Sequence, residues 1–245
     1  MYTRDIFSKE WAVFLAECCQ LAYDQYHQNG IFSIPNGFDL VREFKGVSFH
    51  SLEWFGFILE SEETIIVTFR GTQTDPDWIA DAEIFQEPFP YCDTGNQLLV
   101  HGGFLSVYES MREELLKCLE KELSTSKTIF ITGHSLGGAI ATLFSLDCAL
   151  NTNYSSLYMY SFGAPRVGNE AFAHLYDENV PGSIRFVNLA DLVPFVPPRK
   201  VVAPLSKKTW HYKHTFTPYR FLLTEGSIIK NHSIETYIKA MKEKF

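Results

Sequence analysis

The pentapeptide Gly133-His134-Ser135-Leu136-Gly137 is a G-x-S-x-G string, and its flanks give it chemical meaning. Ile129, Phe130 and Ile131 before it read as a buried strand, and Gly138 and Ala139 after it lead into a helical pattern. A serine on a sharp strand-to-helix turn has its Oγ lifted clear of the sheet by a strained backbone, beside a helix N-terminus that favours developing negative charge. That hydroxyl is a weak nucleophile by itself. It needs an imidazole to take its proton and a carboxylate to orient the imidazole. Where this motif sits on a strand–turn–helix, acid and base follow the serine in the order Asp or Glu, then His.

Four histidines lie downstream. His174 falls in a predicted helix and precedes the best acid. His211 and His214 have H-x-x-H spacing without companion metal ligands. His232, in Lys230-Asn231-His232-Ser233, stands in a predicted loop just before the last helical pattern, so it is taken as the base with His214 second. For the acid, Asp147 lies about three turns into the helix that starts at Ser135, too far along to reach across, and Asp177 ends a helix. Asp191 directly follows the strand-like run Arg185-Phe186-Val187-Asn188-Leu189, and the carboxyl ends of parallel strands are where sites of open α/β sheets gather. The oxyanion of an acyl-transfer intermediate needs two donors. The backbone N–H of Leu136 supplies one, and Thr72, in Phe69-Arg70-Gly71-Thr72 after another strand, supplies the second through its N–H and hydroxyl.

The elements that must hold these groups alternate along the chain. An amphipathic helix reads over Ile6–Gln25, with Trp11, Phe14, Leu15, Cys18, Leu21 and Ala22 at helical spacing. A turn-rich stretch with Asn29-Gly30 and Pro35-Asn36-Gly37 follows, then strands Trp54–Leu59 and Thr64–Phe69. A helix reads over Phe104–Leu123. Next come strand Thr128–Thr132, helix Leu136–Leu150, strand Leu157–Phe162, helix Asn169–Asp177 and strand Ile184–Leu189. Trp210–Phe216 is read as an added edge strand and Ile234–Met241 as the final helix. This alternation predicts an α/β fold with a mostly parallel sheet covered on both faces, in one domain over residues 1–245.

Composition narrows the function classes. A net charge of −8 provides no basic stripe for phosphates, which excludes a nucleic-acid partner. The loose basic group Arg199, Lys200, Lys207, Lys208 and Lys213 reads as a solvated loop. The abundant aromatics (Phe 21, Tyr 12) suit a Phe-rich core and an apolar pocket. Five cysteines without C-x-x-C spacing suit free thiols in a reducing compartment better than a disulfide framework. No signal peptide and no transmembrane run are legible, so the expectation is a cytoplasmic protein, or a secreted one if the sequence is a mature form or is exported without a leader. No cofactor and no metal is implied.

Five ordered motifs carry a family resemblance: Phe69-Arg70-Gly71-Thr72, Val100-His101-Gly102-Gly103-Phe104, Thr132 to Ala139, Phe162-Gly163-Ala164-Pro165-Arg166-Val167-Gly168, and Asn188 to Pro194. Over about residues 50–240 the chain resembles the class 3 lipase family, the fungal triacylglycerol lipases and their bacterial relatives. The resemblance implies an α/β-hydrolase fold, Ser135, Asp191 and His232 as a catalytic triad, Thr72 as an oxyanion residue, and framework roles for His101 and Arg166. It also implies a short helical lid after the oxyanion residue. Residues 74–86 fit, with Asp75 as cap, Pro76 at the first helical position, and Trp78, Ile79, Ala82 and Phe85 on one apolar face over an acyl pocket. The expected activity is serine ester hydrolysis of acylglycerols or similar lipid esters at a lipid–water interface. Phospholipase A1, galactolipase and general carboxylesterase are the alternatives within enzymes, and a non-catalytic binding module on the same fold is the alternative outside them.

Overall fold

The computed structural model describes residues 7–48, 50–72, 85–92, 97–202, 207–216 and 218–244. Helix α1 (Lys9–His27) starts where the Ser8 side chain accepts from Trp11 N, three residues later than its apolar spacing suggests. Strands β1 (Asp39–Ser48), β2 (Ser51–Glu60) and β3 (Thr64–Phe69) form an antiparallel meander. A small antiparallel pair, β4 (Gln86–Pro88) and β5 (Leu99–His101), leads into α2 (Gly102–Glu122).

Strand β6 (Thr128–His134), helix α3 (Leu136–Asn151), strand β7 (Leu157–Phe162), helix α4 (Glu170–Asn179) and strand β8 (Gly182–Asn188) follow in the alternation that the sequence shows. The chain then makes a short 3₁₀ turn at Val193–Phe195 and a two-stranded ribbon of β9 (Lys200–Val202) and β10 (Thr209–His211). It closes with β11 (Pro218–Phe221), α5 (Ile228–His232) and α6 (Ile234–Lys244). The main sheet has the order β1-β2-β3-β6-β7-β8-β11, antiparallel through β3 and parallel from β3 onward.

Alternation along each strand divides the core between two faces. Ile65, Val67 and Phe69 of β3 pack with Leu115, Leu119, Ile140 and Phe144 of α2 and α3. Ile66, Phe130 and Phe162 face the other way, onto Ala12, Leu15 and Ala16 of α1 and Tyr237, Ala240 and Met241 of α6. Central strands β3 and β8 are buried along their whole length, as strands covered on both faces must be. Cys18, Cys19, Cys118 and Cys148 are buried free thiols, and Cys92 is half-buried. Among the described residues no helix is long and apolar enough to cross a membrane.

One strand is added and two expectations are corrected. The sequence gives no expectation of strand β1, whose register shifts between Leu40 and Arg42 and again between Phe44 and Lys45 break the period-two pattern. The segment Trp210–Phe216 does not edge the main sheet: Thr209–His211 pairs with β9, and Pro218–Phe221 lies parallel to β8 instead. A proline at the start of that strand fits its place at the sheet edge, where no neighbour needs its missing N–H. His232 ends the short helix α5 rather than lying in a loop, because Ser227 caps that turn by accepting from Lys230 N.

Candidate active site

Ser135 follows β6 directly and caps α3 with φ 57° and ψ −125°, the left-handed strain that an elbow requires. The turn is tight enough that a Cβ on Gly133 would stand 2.2 Å from the carbonyl oxygen of Gly137. Ser135 N donates to Phe162 O at 2.9 Å, which ties the elbow to β7. The hydroxyl lies 2.7 Å from Nε2 of His232, whose Nδ1 lies 2.7 Å from Oδ2 of Asp191. All three residues are buried. A carboxylate can only accept, so Nδ1 carries the ring proton and Nε2 is free to accept from Ser135.

Asp191 sits on the turn just beyond β8. Its other oxygen, Oδ1, accepts from Val193 N at 2.9 Å, and Tyr237 of α6 donates its hydroxyl to Oδ2 at 2.7 Å. The carboxylate is fully buried, with protein donors on both oxygens. Gly163, with φ +62°, lets the chain pass close by: a Cβ there would stand 3.0 Å from Asp191 Oδ2 and 3.2 Å from His232 Cε1.

A second imidazole steadies the first. His134 donates from Nε2 to the carbonyl oxygen of His232 at 2.7 Å and accepts at Nδ1 from the Tyr23 hydroxyl at 2.8 Å. Burial, and then the nearby His232, hold its pKa well below the ordinary histidine range, so it stays neutral with the donor pattern this chain needs. Tyr237, His134 and Tyr23 have no sequence signal of their own. Tyr23 and Tyr237 fall inside predicted helices without standing out, and His134 is the variable residue of its motif.

Thr72 follows Arg70 and Gly71 at the end of β3. Arg70 is buried and fixes that strand end through Nε to Trp54 O, Nη1 to Gly71 O, and an ion pair from Nη2 to Glu53 at 2.8 Å. A Cβ on Gly71 would stand 2.8 Å from His134 O and 3.1 Å from Ser135 Cβ, so the backbone carrying half-buried Thr72 runs against the elbow. Leu136 is the first residue of α3, where a backbone N–H has no intrahelical partner. The two expected oxyanion groups thus follow the ends of adjacent strands β3 and β6.

Of the expected lid, Trp78, Ile79 and Ala82 lie outside the described residues. Phe85 is described: it is half-buried, packs where Gly102 has no side chain, and its carbonyl accepts from Gly102 N and Tyr212 Oη. His101 accepts from Phe104 N at the start of α2 and stacks on Phe104, and burial pushes its pKa down to about 4. Asp147 is engaged elsewhere, by Tyr108, Arg112 and Asn151. His214 meets the Pro194 carbonyl, away from Ser135.

The family model described as Lipase (class 3) matches residues 66–201, more than half of the chain. The lipase of Rhizomucor miehei is 37% identical over 145 residues, covering 57% of this chain and 39% of that protein. Phospholipase A(1) DAD1, chloroplastic, of Arabidopsis thaliana is 33% identical over 172 residues, covering 59% and 38% respectively. This chain therefore spans about two fifths of the length of these curated relatives. In fold, it superposes on a deletion mutant of the Rhizomucor miehei lipase propeptide complex with TM-score 0.72 at 23% identity, over 91% of this chain and 68% of the other. The matched span takes in the strand end at Thr72, the elbow at Ser135 and the turn at Asp191, and the chain belongs to the class 3 lipase family.

Proposed function

We propose that the chain hydrolyses carboxylic esters of lipids by acyl transfer through Ser135. The observation that carries this reading is the continuous buried relay Ser135–His232–Asp191, with 2.7 Å at each link, on a strained strand-to-helix elbow. Ser135 Oγ attacks the ester carbonyl as its proton passes to His232 Nε2. The oxyanion is held by Leu136 N–H and Thr72. The C–O bond then breaks, the leaving alcohol takes the proton from His232, and an acyl-enzyme remains. Water, deprotonated by His232, attacks that ester, and collapse frees the acid and restores Ser135. Asp191 keeps its charge throughout and holds the imidazole in the required tautomer.

A lipid ester is favoured by the apolar surface beside the relay. Leu189 and Leu192 flank Asp191, Phe195 follows, and Ile228 and Ile229 precede His232; all five are exposed. The family name and the acylglycerol-lipase relatives support the same substrate class. A phospholipid ester is the second reading. It is supported by phospholipase A1 EG1 of rice, which is 26% identical over 77% of this chain.

A fluorophosphonate should label the folded protein and fail to label Ser135→Ala. Absence of labelling in the folded wild type would overturn the enzyme reading and favour a binding module. A panel of acylglycerols, phospholipids and galactolipids of graded acyl length then separates the substrate readings.

A further inference from the structure

The arginines divide into two sets. Arg42, Arg70 and Arg112 each pair with a carboxylate. Among the described residues, Arg166, Arg185, Arg199 and Arg220 have no ion pair, and all four line one cleft of about 440 Å³. Lys213 also lines it and is paired with Glu170, the carboxylate on its wall. In a chain of net charge −8, four guanidinium groups in one cleft without an ion pair among the described residues are a local concentration of positive charge.

Two of the four are buried, and both are aimed by neutral groups. Arg185 donates from Nε to Thr215 O at 2.5 Å and from Nη2 to Phe216 O at 2.8 Å, which leaves its Nη1 donors unassigned. Arg166 gives Nη1 to the carbonyls of Phe195 and Pro197, which leaves Nε and Nη2. Carbonyl dipoles orient a guanidinium but do not neutralise it. Asp177 lies near enough to Arg185 to favour its charge but spends Oδ1 on Phe216 N. Burial, with Arg166 and Arg220 adding repulsion, pushes the Arg185 pKa down to about 9. Exposed Arg199 and Arg220 complete the wall, the first held where Tyr212 N donates to its carbonyl.

We propose that this cleft is a binding site for a phosphate group. Planar forks with spare donors match a tetrahedral oxyanion bidentately, and a charge near two answers four cations better than a single carboxylate does. The volume leaves room for the organic group that a phosphate ester carries. The site is separate from the relay: Asp191 and Arg199 stand at opposite ends of one loop, and His214 on the cleft side holds that loop through Pro194 O. It supplies what composition alone hides, since the sequence reads Arg199 and Lys213 as solvated and places neither Arg185 nor Arg220 beside them.

The inference does not depend on ester hydrolysis, and its test reads binding. Thermal unfolding is followed in inorganic phosphate and in sodium chloride at equal ionic strength. Phosphate at about a hundred times its Kd should raise the Tm of the wild type by about 5–10 °C over chloride. The surface variant Arg199→Ala/Arg220→Ala should lose most of that rise, and the charge-matched control Lys117→Ala/Lys121→Ala, at two exposed lysines outside the cleft, should keep it. No rise over chloride, or an equal rise in the double variant, overturns the proposal. Co-sedimentation with phosphatidylcholine vesicles, with or without phosphatidic acid, identifies the source. Binding that needs phosphatidic acid, is displaced by inorganic phosphate and is lost in the double variant assigns the site to a lipid headgroup. A phosphate-dependent Tm rise without such vesicle binding assigns it to a soluble phosphate ester.

Discussion

Tyr237 and His232 meet on one oxygen: both donate to Oδ2 of Asp191 at 2.7 Å, from separate helices at the end of the chain. The tyrosine hydroxyl also accepts from Asn188 N at 3.2 Å, so it joins the carboxylate to the last residue of β8. Removing a hydrogen bond to a buried charged group costs about 1.5–3 kcal/mol. If the transition state feels that loss in full, Tyr237→Phe lowers kcat by about 10- to 100-fold. A KM that stays near the wild-type value, with fluorophosphonate labelling slowed by the same factor, marks a positioning role rather than a loss of folded protein.

The relay itself makes a graded prediction. Ser135→Ala should lower kcat by about 10⁶-fold, and Asp191→Asn by about 10⁴-fold, because the amide can hold His232 in the wrong tautomer. Single-turnover assays on a chromogenic ester read both. Equal losses in the two variants would show that Asp191 does more than orient the ring.

Thr72→Val keeps the backbone N–H and removes the hydroxyl. If the hydroxyl is one of the oxyanion donors, kcat falls by about 100-fold or more with KM little changed. Thr72→Ser should restore most of the rate. A valine variant as active as wild type would assign the role to the backbone N–H alone.

Three histidines should make the fold acid-sensitive. Burial holds His101 down to about 4 and pushes His134 and His214 well below the ordinary range. The unfolded chain binds their protons below about pH 6.5, while the folded chain does not. Stability is therefore complete above that pH and falls as pH drops through the window from about 6.5 towards 4, by up to about 1.4 kcal/mol per pH unit for each group. Urea unfolding at stepped pH measures the slope, and His101→Asn should make it shallower by one proton.

Glycine at the elbow, β-branched runs and small residues at the start of α3 are local signals. They make the strand–turn–helix at Ser135, strands β3 and β7, and the position of Asp191 after β8 legible in the sequence. What was unreadable is set by tertiary contact. Strand β1 is irregular because its bulged register answers to β2, and Trp210–His211 pairs with a ribbon strand that no short-range pattern announces. Tyr23 and Tyr237 gain their roles only when α1 and α6 pack on one face of the sheet. Arg185 and Arg199 share a cleft because β8 and the loop after the 3₁₀ turn fold to the same side.

Helix α1 and helix α6 also touch directly: Lys242 pairs with Glu17 at 2.7 Å, and its carbonyl oxygen accepts from Lys9 Nζ at 3.1 Å. His232 and Tyr237, on adjoining turns of the chain, are therefore delivered to the site by a layer that rests on the first helix. Ser135 and His232 are 97 positions apart, so a nascent chain that has already formed its elbow still lacks the imidazole that its serine meets. Turnover by the proposed relay would be a readout of completed assembly. A local opening of that helical layer would silence hydrolysis while the sheet, and most of the spectroscopic signature of folding, stayed intact.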